Sequence, residues 1–155
     1  MIADCKAYTP KSQSLSSGQV LPRPYSFGEG RIVIREMADA LALRLVRHNL
    51  VCDQVVLDVS YDIENAAAVS RRGGELQSDR YGRFSPKSVH GSCNLGRHIS
   101  SSLCIMDSVS AIYDKIVDRN LTVRRFNICA NNLMTPEQAE KFDRRVTQAL
   151  TNEAP

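Results

Sequence analysis

The segment LTVRRFNICANN, at residues 121–132, carries two adjacent arginines inside an alternating apolar pattern. Successive side chains of a strand point to opposite faces of a sheet. One face of this predicted strand is apolar: Phe126, Ile128 and Ala130. The other face carries a cation, amides and a thiol: Arg125, Asn127, Cys129 and Asn131. Arg124 can share the face of Arg125 only if a β-bulge adds one residue to the strand.

Two further polar stretches carry related side chains. KSQSLSSGQVL (11–21) and KSVHGSCNLGRHIS (87–100) are rich in serine and glycine, and we predict both as extended. Small residues let backbone amides approach a phosphate closely, arginine and lysine neutralise it, and asparagine bridges. The residues that we expect to contact a phosphate backbone are Lys11, Ser12, Ser14, Ser16, Lys87, Ser92, Arg97, Arg124, Arg125 and Asn127. An antiparallel sheet often has a solvated face, so these residue types also fit that alternative.

The elements that would position these side chains follow from the hydrophobic pattern. Ser26 and Glu29 form a capping box at the start of a predicted helix whose apolar residues recur at helical spacing. A second amphipathic helix begins after the serine pair at 101–102. Residues 53–63 alternate as a half-buried strand, and a Thr-Pro pair begins a short C-terminal helix over 135–150.

The two halves of the chain resemble each other. Each contains a polar strand, an amphipathic helix, an Asn-Leu pair and an apolar strand, and the units end in RHNLVCDQVVLDV and DRNLTVRRFNICA. We therefore predict an α+β domain whose four-stranded, mainly antiparallel sheet has two helices on one face, in the split βαβ arrangement of ferredoxin-like folds. The opposite face is left for water or a partner.

Two segments interrupt this pattern. PRPY at 22–25 is expected to break the first strand, and residues 64–86 are expected to form a long polar loop. Loops of this length are functional or mobile. The arginines of this segment fit either a solvated loop or an electrostatic arm along a duplex; they lie at positions 71, 72, 80 and 83.

Two metal sites are alternatives to the phosphate interpretation. Acidic side chains share one parity along the second strand, and they could bind a divalent ion, pair with arginines or be solvated: Asp58, Asp62 and Glu64. A second set has spacings that zinc tolerates: His90, Cys93, His98 and Cys104. Free cysteines are commonly small core residues, which is the competing interpretation of the second set.

Composition restricts the class of protein. A chain of 155 residues suits one domain with its own core, and a net charge of +3 permits a polyanionic partner without demanding one. No apolar run reaches the roughly 20 residues of a membrane span, and the first residues lack the apolar region of a signal peptide. Five cysteines without a C-x-x-C pair indicate reduced thiols and a cytoplasmic protein.

Several segments, in this order, resemble the C-terminal little finger, or polymerase-associated domain, of Y-family translesion DNA polymerases. They are KAYTPKSQSLSSGQVL, REMADALALRL, DQVVLDVSYDIEN, DRYGR, HGSCNLGR and VRRFNICANN, and the nearest likeness is to the UmuC/ImpB/MucB-type members. In that family the bare sheet face lies in the DNA major groove and grips backbone phosphates near the primer–template junction. The carried-over positions are Lys11, Ser12 and Ser14 of the first strand, Arg97 of the third, and Val123, Arg124 and Arg125 of the last.

The resemblance implies how the chain is divided into segments and which activity it lacks. Residues 1–10 would be the tether from the thumb, 11–132 the little finger, and 133–155 a C-terminal helix and tail. The palm domain that binds magnesium and synthesises DNA has no room in a chain filled by the little finger. We therefore expect no catalytic centre and no cofactor here, and the tether-like start favours an excised domain over a truncated protein.

Partners follow from the same resemblance. They would be primer–template DNA, the rest of the polymerase chain and, in the competing interpretation of a protein-interaction module, a replication or repair partner such as the sliding clamp. The family often carries a QLxLF-type clamp-binding tail, and nothing like it occurs in RRVTQALTNEAP. An open face rich in Leu, Met or Tyr would favour the protein-interaction module.

Overall fold

The computed structural model describes residues 14–78 and 82–142. Its elements are, in chain order, β1 (Ser14–Tyr25), α1 (Phe27–Arg47), β2 (Cys52–Tyr61), a 3₁₀ turn (Ile63–Asn65), α2 (Ala66–Arg71), β3 (Leu76–Ser78), β4 (Phe84–Pro86), β5 (Val89–Ile99), α3 (Ser102–Ile116) and β6 (Val123–Asn131). A terminal helix, α4, is described from residue 136 to residue 142. The predicted tether at 1–10, together with Lys11 and Ser12, lies outside the described residues.

The main sheet contains four antiparallel strands in the order β1-β6-β2-β5. The strands that α1 joins, β1 and β2, have β6 between them, and the strands that α3 joins, β5 and β6, have β2 between them. Each strand–helix–strand unit is thus split by a strand of the other unit. The helices α1 and α3 pack against each other on one face of the sheet, which confirms the predicted α+β fold.

Local signals explain where the helices begin and end. Ser26 accepts from the Glu29 amide while Glu29 accepts from the Ser26 amide, so the predicted capping box is present. Asn49 follows α1 with a φ of 54°, in the left-handed region that asparagine tolerates. Ser101 caps α3 through the Cys104 amide. Thr135 and Gln138 cap α4 reciprocally, whereas residues 143–150 of the predicted terminal helix lie outside the described chain.

The core lies between the helices and the inner face of the sheet. The apolar parity of β2 and β6 is buried, as the alternation predicted: Val55, Leu57, Val59, Tyr61, Phe126, Ile128 and Ala130. Tyr113 of α3 crosses this layer, and its hydroxyl donates to the Phe27 carbonyl at 2.7 Å. Burial raises the pKa of this phenol well above its ordinary value, so it stays protonated as a donor.

Two expectations about irregular segments are wrong. PRPY does not end the first strand: β1 continues to Tyr25, and its register with β6 shifts between Val20 and Tyr25. β1 is an edge strand, where the missing amides of two prolines are tolerated. Residues 64–86 are not simply a loop, because they contain α2 and a β3–β4 hairpin. Elements of three to six residues are too short to produce a periodic pattern.

No helix in the described part of the chain is both long enough and apolar enough to cross a membrane.

Candidate nucleic-acid interface

The sheet face opposite the helices is called the open face here. In it, β1 contributes Ser14, Ser16, Gly18 and Val20; β6 contributes Asn131, Cys129, Asn127 and Arg125; β2 contributes Gln54, Val56, Asp58 and Ser60; and β5 contributes Asn94, Ser92 and His90. Strand register places these residues in rows, such as Gly18, Asn127, Asp58 and His90 across the centre. The open face is therefore mostly small and polar, as the sequence predicted.

Arg124 is a bulge residue. Val123 pairs with Tyr61 of β2, and Arg125 pairs with Ser60. Because Ser60 and Tyr61 are consecutive, Arg124 is an extra residue of β6 that has no residue opposite it on β2. Its Nη1 donates to Oδ1 of Asp62 at 3.3 Å. The sequence left open both a bulge at Arg124 and the pairing of Asp58, Asp62 or Glu64 with a nearby arginine; the structure has both, with Asp62 as the acid. Asp118 pairs with Arg72 at 3.4 Å.

Arg125 is exposed and makes no hydrogen bond or ion pair with another described residue. Its cross-strand neighbours are Val20 on β1 and Ser60 on β2, which are smaller side chains. Asn127 lies one row away, beside Gly18, where a Cβ would stand 3.4 Å from the Asn127 Oδ1. Because residue 18 has no side chain, β1 does not cover Asn127, and a partner can approach Asn127 from the β1 side.

An amide ladder crosses three strands at the far end of the open face. Asn131 Nδ2 donates to Gln54 Oε1 at 2.9 Å, and Gln54 Nε2 donates to Asn94 Oδ1 at 3.1 Å. Mutual hydrogen bonds fix the three side chains in one arrangement before any partner arrives. Gln54 could not be recognised from the sequence, because its role depends on strand order and register.

The other predicted site residues divide into two groups. Ser14, Ser16 and Ser92 lie on the open face. Lys87 does not: it pairs with Glu75 at 3.4 Å and lines a separate cavity with Ile116 of α3. Arg97 is exposed on β5 directly after Gly96, whose φ is 82°, and makes no hydrogen bond with the described residues. Lys11 and Ser12 lie outside the described residues, so their roles stay predictions.

A cleft lies where the open face meets the segment that follows β2. Its volume is about 330 Å³, and it is lined by Val20, Tyr61, Asp62, Ile63, Arg83, Arg124 and Arg125. Arg83 comes from the approach to β4, far from the other arginines in sequence. From the sequence, Arg83 could be assigned only to a polar loop, because the hairpin that positions it has no clear pattern.

The proposed metal sites do not gather in the structure. The described residues contain no group of three or more His, Cys, Asp or Glu side chains that could hold a metal ion. Asp62 is mostly buried and paired with Arg124, whereas Asp58 is exposed on the open face. In the zinc candidate, the His98 side chain is 2% exposed near Asp53, and Cys104 is exposed on α3.

Comparison with known proteins decides the family. The model of the impB/mucB/samB family C-terminal domain matches residues 12–144. The chain belongs to this family. It is a little finger domain of the UmuC/ImpB/MucB-type Y-family DNA polymerases, as the sequence resemblance implied. None of the curated proteins matches the chain.

Solved structures share the fold at low sequence identity. The "Insertion ternary complex of Dbh DNA polymerase" is 8% identical with a TM-score of 0.50, covering 79% of this chain and 29% of that one. The "Complex of beta-clamp processivity factor and little finger domain of PolIV" is 9% identical with a TM-score of 0.48, covering 76% and 86% respectively. The little finger described here thus spans less than a third of the Dbh polymerase chain.

Proposed function

We propose that this little finger binds the backbone of primer–template DNA in the major groove, through its open face and without reading base sequence. It would do so as part of a lesion-bypass polymerase. Membership of the family supports this function. The open face supports it chemically, because hydroxyls, amides and arginine contact phosphates and position a protein on a duplex without specifying a base.

The proposal depends mainly on the exposure of Arg125 on the open face. A guanidinium on a sheet face, exposed and without an ionic partner among the described residues, is available to a phosphate. The smaller neighbours Val20 and Ser60 leave room on both sides of it. Charge-assisted hydrogen bonds from arginine to phosphate are among the stronger polar contacts that proteins make.

The isolated domain should bind DNA weakly. The open face holds few cations, and Asp58 places a carboxylate near its centre. Few phosphate contacts mean low affinity that falls steeply with salt. In an intact polymerase, the linkage to the other domains would raise the effective concentration of DNA at the active site, so weak contacts suffice.

Fluorescence anisotropy with a labelled primer–template duplex across a salt series tests the proposal. Arg125→Ala should weaken binding and reduce the slope of log affinity against log salt by about one. Arg47→Ala is the matched control, because Arg47 is exposed on α1, on the helix side of the sheet. Absence of binding at low salt, or equal losses in the two variants, would refute the proposal.

We also infer that this domain contributes DNA binding and does not synthesise DNA. Two-metal nucleotidyl transfer needs carboxylates gathered around the ions, and no such group occurs among the described residues. Magnesium would be bound by the palm domain of a polymerase. A primer-extension assay of this chain with magnesium and all four nucleotides should yield no product, and any extension would contradict the inference.

A protein-interaction module is the second candidate. Ile32, Leu43 and Val46 of α1 are each at least half exposed, and separations of 11 and 14 residues bring them to one side of a helix. These apolar side chains share the exposed side of α1 with Glu36 and Asp39, and together they would suit a protein partner such as the sliding clamp. Leu43→Glu should then abolish binding to purified clamp and leave DNA binding intact; unchanged clamp binding would reject this surface.

A further inference from the structure

A second cavity lies beside the segment that joins β2 to β5, and its described lining includes no open-face residue. Residues 62–88 join two strands that are antiparallel neighbours, a connection that a tight turn could make. Instead the segment contains a 3₁₀ turn, α2 and the β3–β4 hairpin, and it borders a volume of about 420 Å³ at the end of α3. Ligand-binding cavities have volumes of roughly 300–1,000 Å³, so this one can accommodate a side chain and its flanking peptide groups.

The floor of this cavity is aliphatic. Val69 of α2 and Leu121, which precedes β6, are buried, with 7% and 6% of their surfaces exposed. Val89 of β5 and Ile116 of α3 are partly buried and pack against the same core, and Pro86 of β4 completes the floor. Because this aliphatic surface is in contact with water, an apolar group that displaced the water would gain free energy. The floor therefore favours a ligand with an aliphatic side chain.

The hydroxyl of Tyr61 adds one directional polar group to this floor. The residue is 7% exposed, and its hydroxyl oxygen accepts a hydrogen bond from the Asp118 amide at 2.9 Å; both residues line the cavity. A phenol also donates one hydrogen bond, and this proton has no acceptor among the described residues. Burial raises the pKa of Tyr61, so the phenol keeps the proton. The cavity thus offers a donor to a ligand that supplies an oxygen acceptor, such as a carbonyl.

Four charged side chains border the cavity, and their charges cancel. Nη2 of Arg72 lies 3.4 Å from Oδ2 of Asp118, and Nζ of Lys87 lies 3.4 Å from Oε2 of Glu75. Arg72, Lys87 and Glu75 each expose at least half of their side chains, so solvent weakens both pairs and they can exchange partners. A border of balanced charge does not attract a polyanion such as DNA. It complements a peptide that carries one acidic and one basic residue.

We propose that this cavity binds a short extended segment of a partner protein, with one aliphatic side chain on the floor and a neighbouring main-chain carbonyl accepting from the Tyr61 hydroxyl. An acidic and a basic residue beside the aliphatic one pair with Lys87 and Glu75 at the border. The segment between β2 and β5 is then a peptide-binding element and not only a connection. This inference goes beyond the proposed function, because the site lies outside the open face and leaves that face free for DNA.

Nuclear magnetic resonance titration of the ¹⁵N-labelled chain tests the proposal with two tripeptides. The probe is N-acetyl-Glu-Leu-Lys-amide, and N-acetyl-Glu-Ser-Lys-amide has the same charges without the aliphatic side chain. The leucine peptide should cause saturable shifts of the Val89, Asp118 and Leu121 amides, while those of Gly18 and Asn127 on the open face stay unchanged. The serine peptide should bind about tenfold more weakly, because it buries less apolar surface.

A pair of tyrosine variants tests the assigned donor. Tyr61→Phe keeps the ring and removes the hydroxyl, and it should weaken binding of the leucine peptide about three- to tenfold, as expected for one lost hydrogen bond. Tyr25→Phe is the matched control, because Tyr25 is half-buried on β1 and does not line the cavity. It should bind the peptide as the wild type does. Equal affinities of Tyr61→Phe and the wild type would overturn the site.

The peptide comparison on the wild-type chain decides the proposal even if Tyr61→Phe does not fold. Absence of saturable shifts, equal affinities for the two peptides, or shifts confined to the open face or to α1 would refute the peptide site. Shifts of the same cavity amides with duplex DNA, and none with the leucine peptide, would assign the cavity to nucleic acid and also refute it. The Arg125→Ala measurement tests the open face separately, so the two proposals can fail independently.

Discussion

Nη1 of Arg124 lies 3.3 Å from Oδ1 of Asp62, and this pair gives the two adjacent arginines different roles. The Asp62 side chain is only 10% exposed, and its second oxygen accepts from the Glu64 amide at 2.9 Å. A carboxylate in that position needs a counter-charge. Arg124 supplies it from the bulge, which leaves Arg125 exposed on the open face.

Arg124→Ala should therefore act on stability more than on DNA binding. Asp62 would lose its ionic partner, and we expect a loss of about 1 kcal/mol or less, because the Arg124 side chain is 40% exposed and solvent screens the pair. Urea denaturation measures the loss. The double variant Asp62→Asn/Arg124→Ala should recover part of it, because asparagine still offers an acceptor to the Glu64 amide. No coupling in this double-mutant cycle would contradict the assignment.

Asp58→Asn should strengthen DNA binding. Asp58 is exposed in the central row of the open face, between Asn127 and His90, and has no ionic partner among the described residues. Its charge repels a phosphate nearby, and in water this repulsion amounts to a few tenths of a kcal/mol. We expect about a twofold gain in affinity by anisotropy at low salt. Glu36→Gln, on the exposed side of α1, removes the same charge and should change nothing.

Most of the correct predictions came from the alternation of apolar and polar residues along the strands and from the capping residues of the helices. The period-two pattern of β6 separated Phe126 and Ile128 from Arg125 and Asn127, because only one face of that strand is buried. The Ser26–Glu29 capping box fixed the start of α1, since both of its hydrogen bonds are local. The sequence left a bulge at Arg124 open, because adjacent residues of a regular strand point to opposite faces and only a bulge brings both arginines to one face.

The features that the sequence did not predict depend on contacts between distant positions. Asp62 and Arg124 are 62 positions apart, and their pairing requires β2 and β6 to be neighbours. The position of Arg83 beside β6 depends on the β3–β4 hairpin, whose strands have three residues each. Lys87 was assigned to the phosphate set by its residue type, but in the structure it lines another cavity, where it pairs with Glu75.

Glu29 should make stability dependent on acid pH. A hydrogen bond from Arg23, at 2.6 Å, and the Ser26 amide lower the pKa of Glu29 from 4.5 to about 2. The unfolded chain therefore binds the proton more readily between these values, so the contribution of Glu29 is complete above about pH 5 and is lost as the pH falls towards 2. Glu29→Gln keeps the capping acceptor but loses the ion pair.

The melting temperature of Glu29→Gln should therefore lie below that of the wild type at pH 7, and the difference should vanish near pH 2. Arg23→Gln removes the main cause of the lowered pKa and should show the same pH dependence. The double variant should lose no more than either single variant. A difference between Glu29→Gln and wild type that persists unchanged at pH 2 would show that the ion pair is not its source.

At Gly30, α1 packs tightly against the strand that carries the arginines. A Cβ at this position would stand 2.6 Å from the Tyr113 hydroxyl oxygen and 2.8 Å from Cγ2 of Val123. Tyr113 is fully buried and held by its bond to Phe27, so it cannot yield easily. Gly30→Ala should cost about 1–3 kcal/mol through overpacking, which equals or exceeds the ~1 kcal/mol that alanine gains in helix propensity.

Gly28 provides the matched control for Gly30. It lies in the same first turn of α1, and a Cβ there would meet nothing within 4 Å. Gly28→Ala should therefore be neutral or stabilising by up to about 1 kcal/mol. Urea denaturation of the two variants compares one chemical change in two environments. Equal stabilities would mean that α1 can move away from β6, and the packing that fixes the open face from behind would be looser than the distances at Gly30 imply.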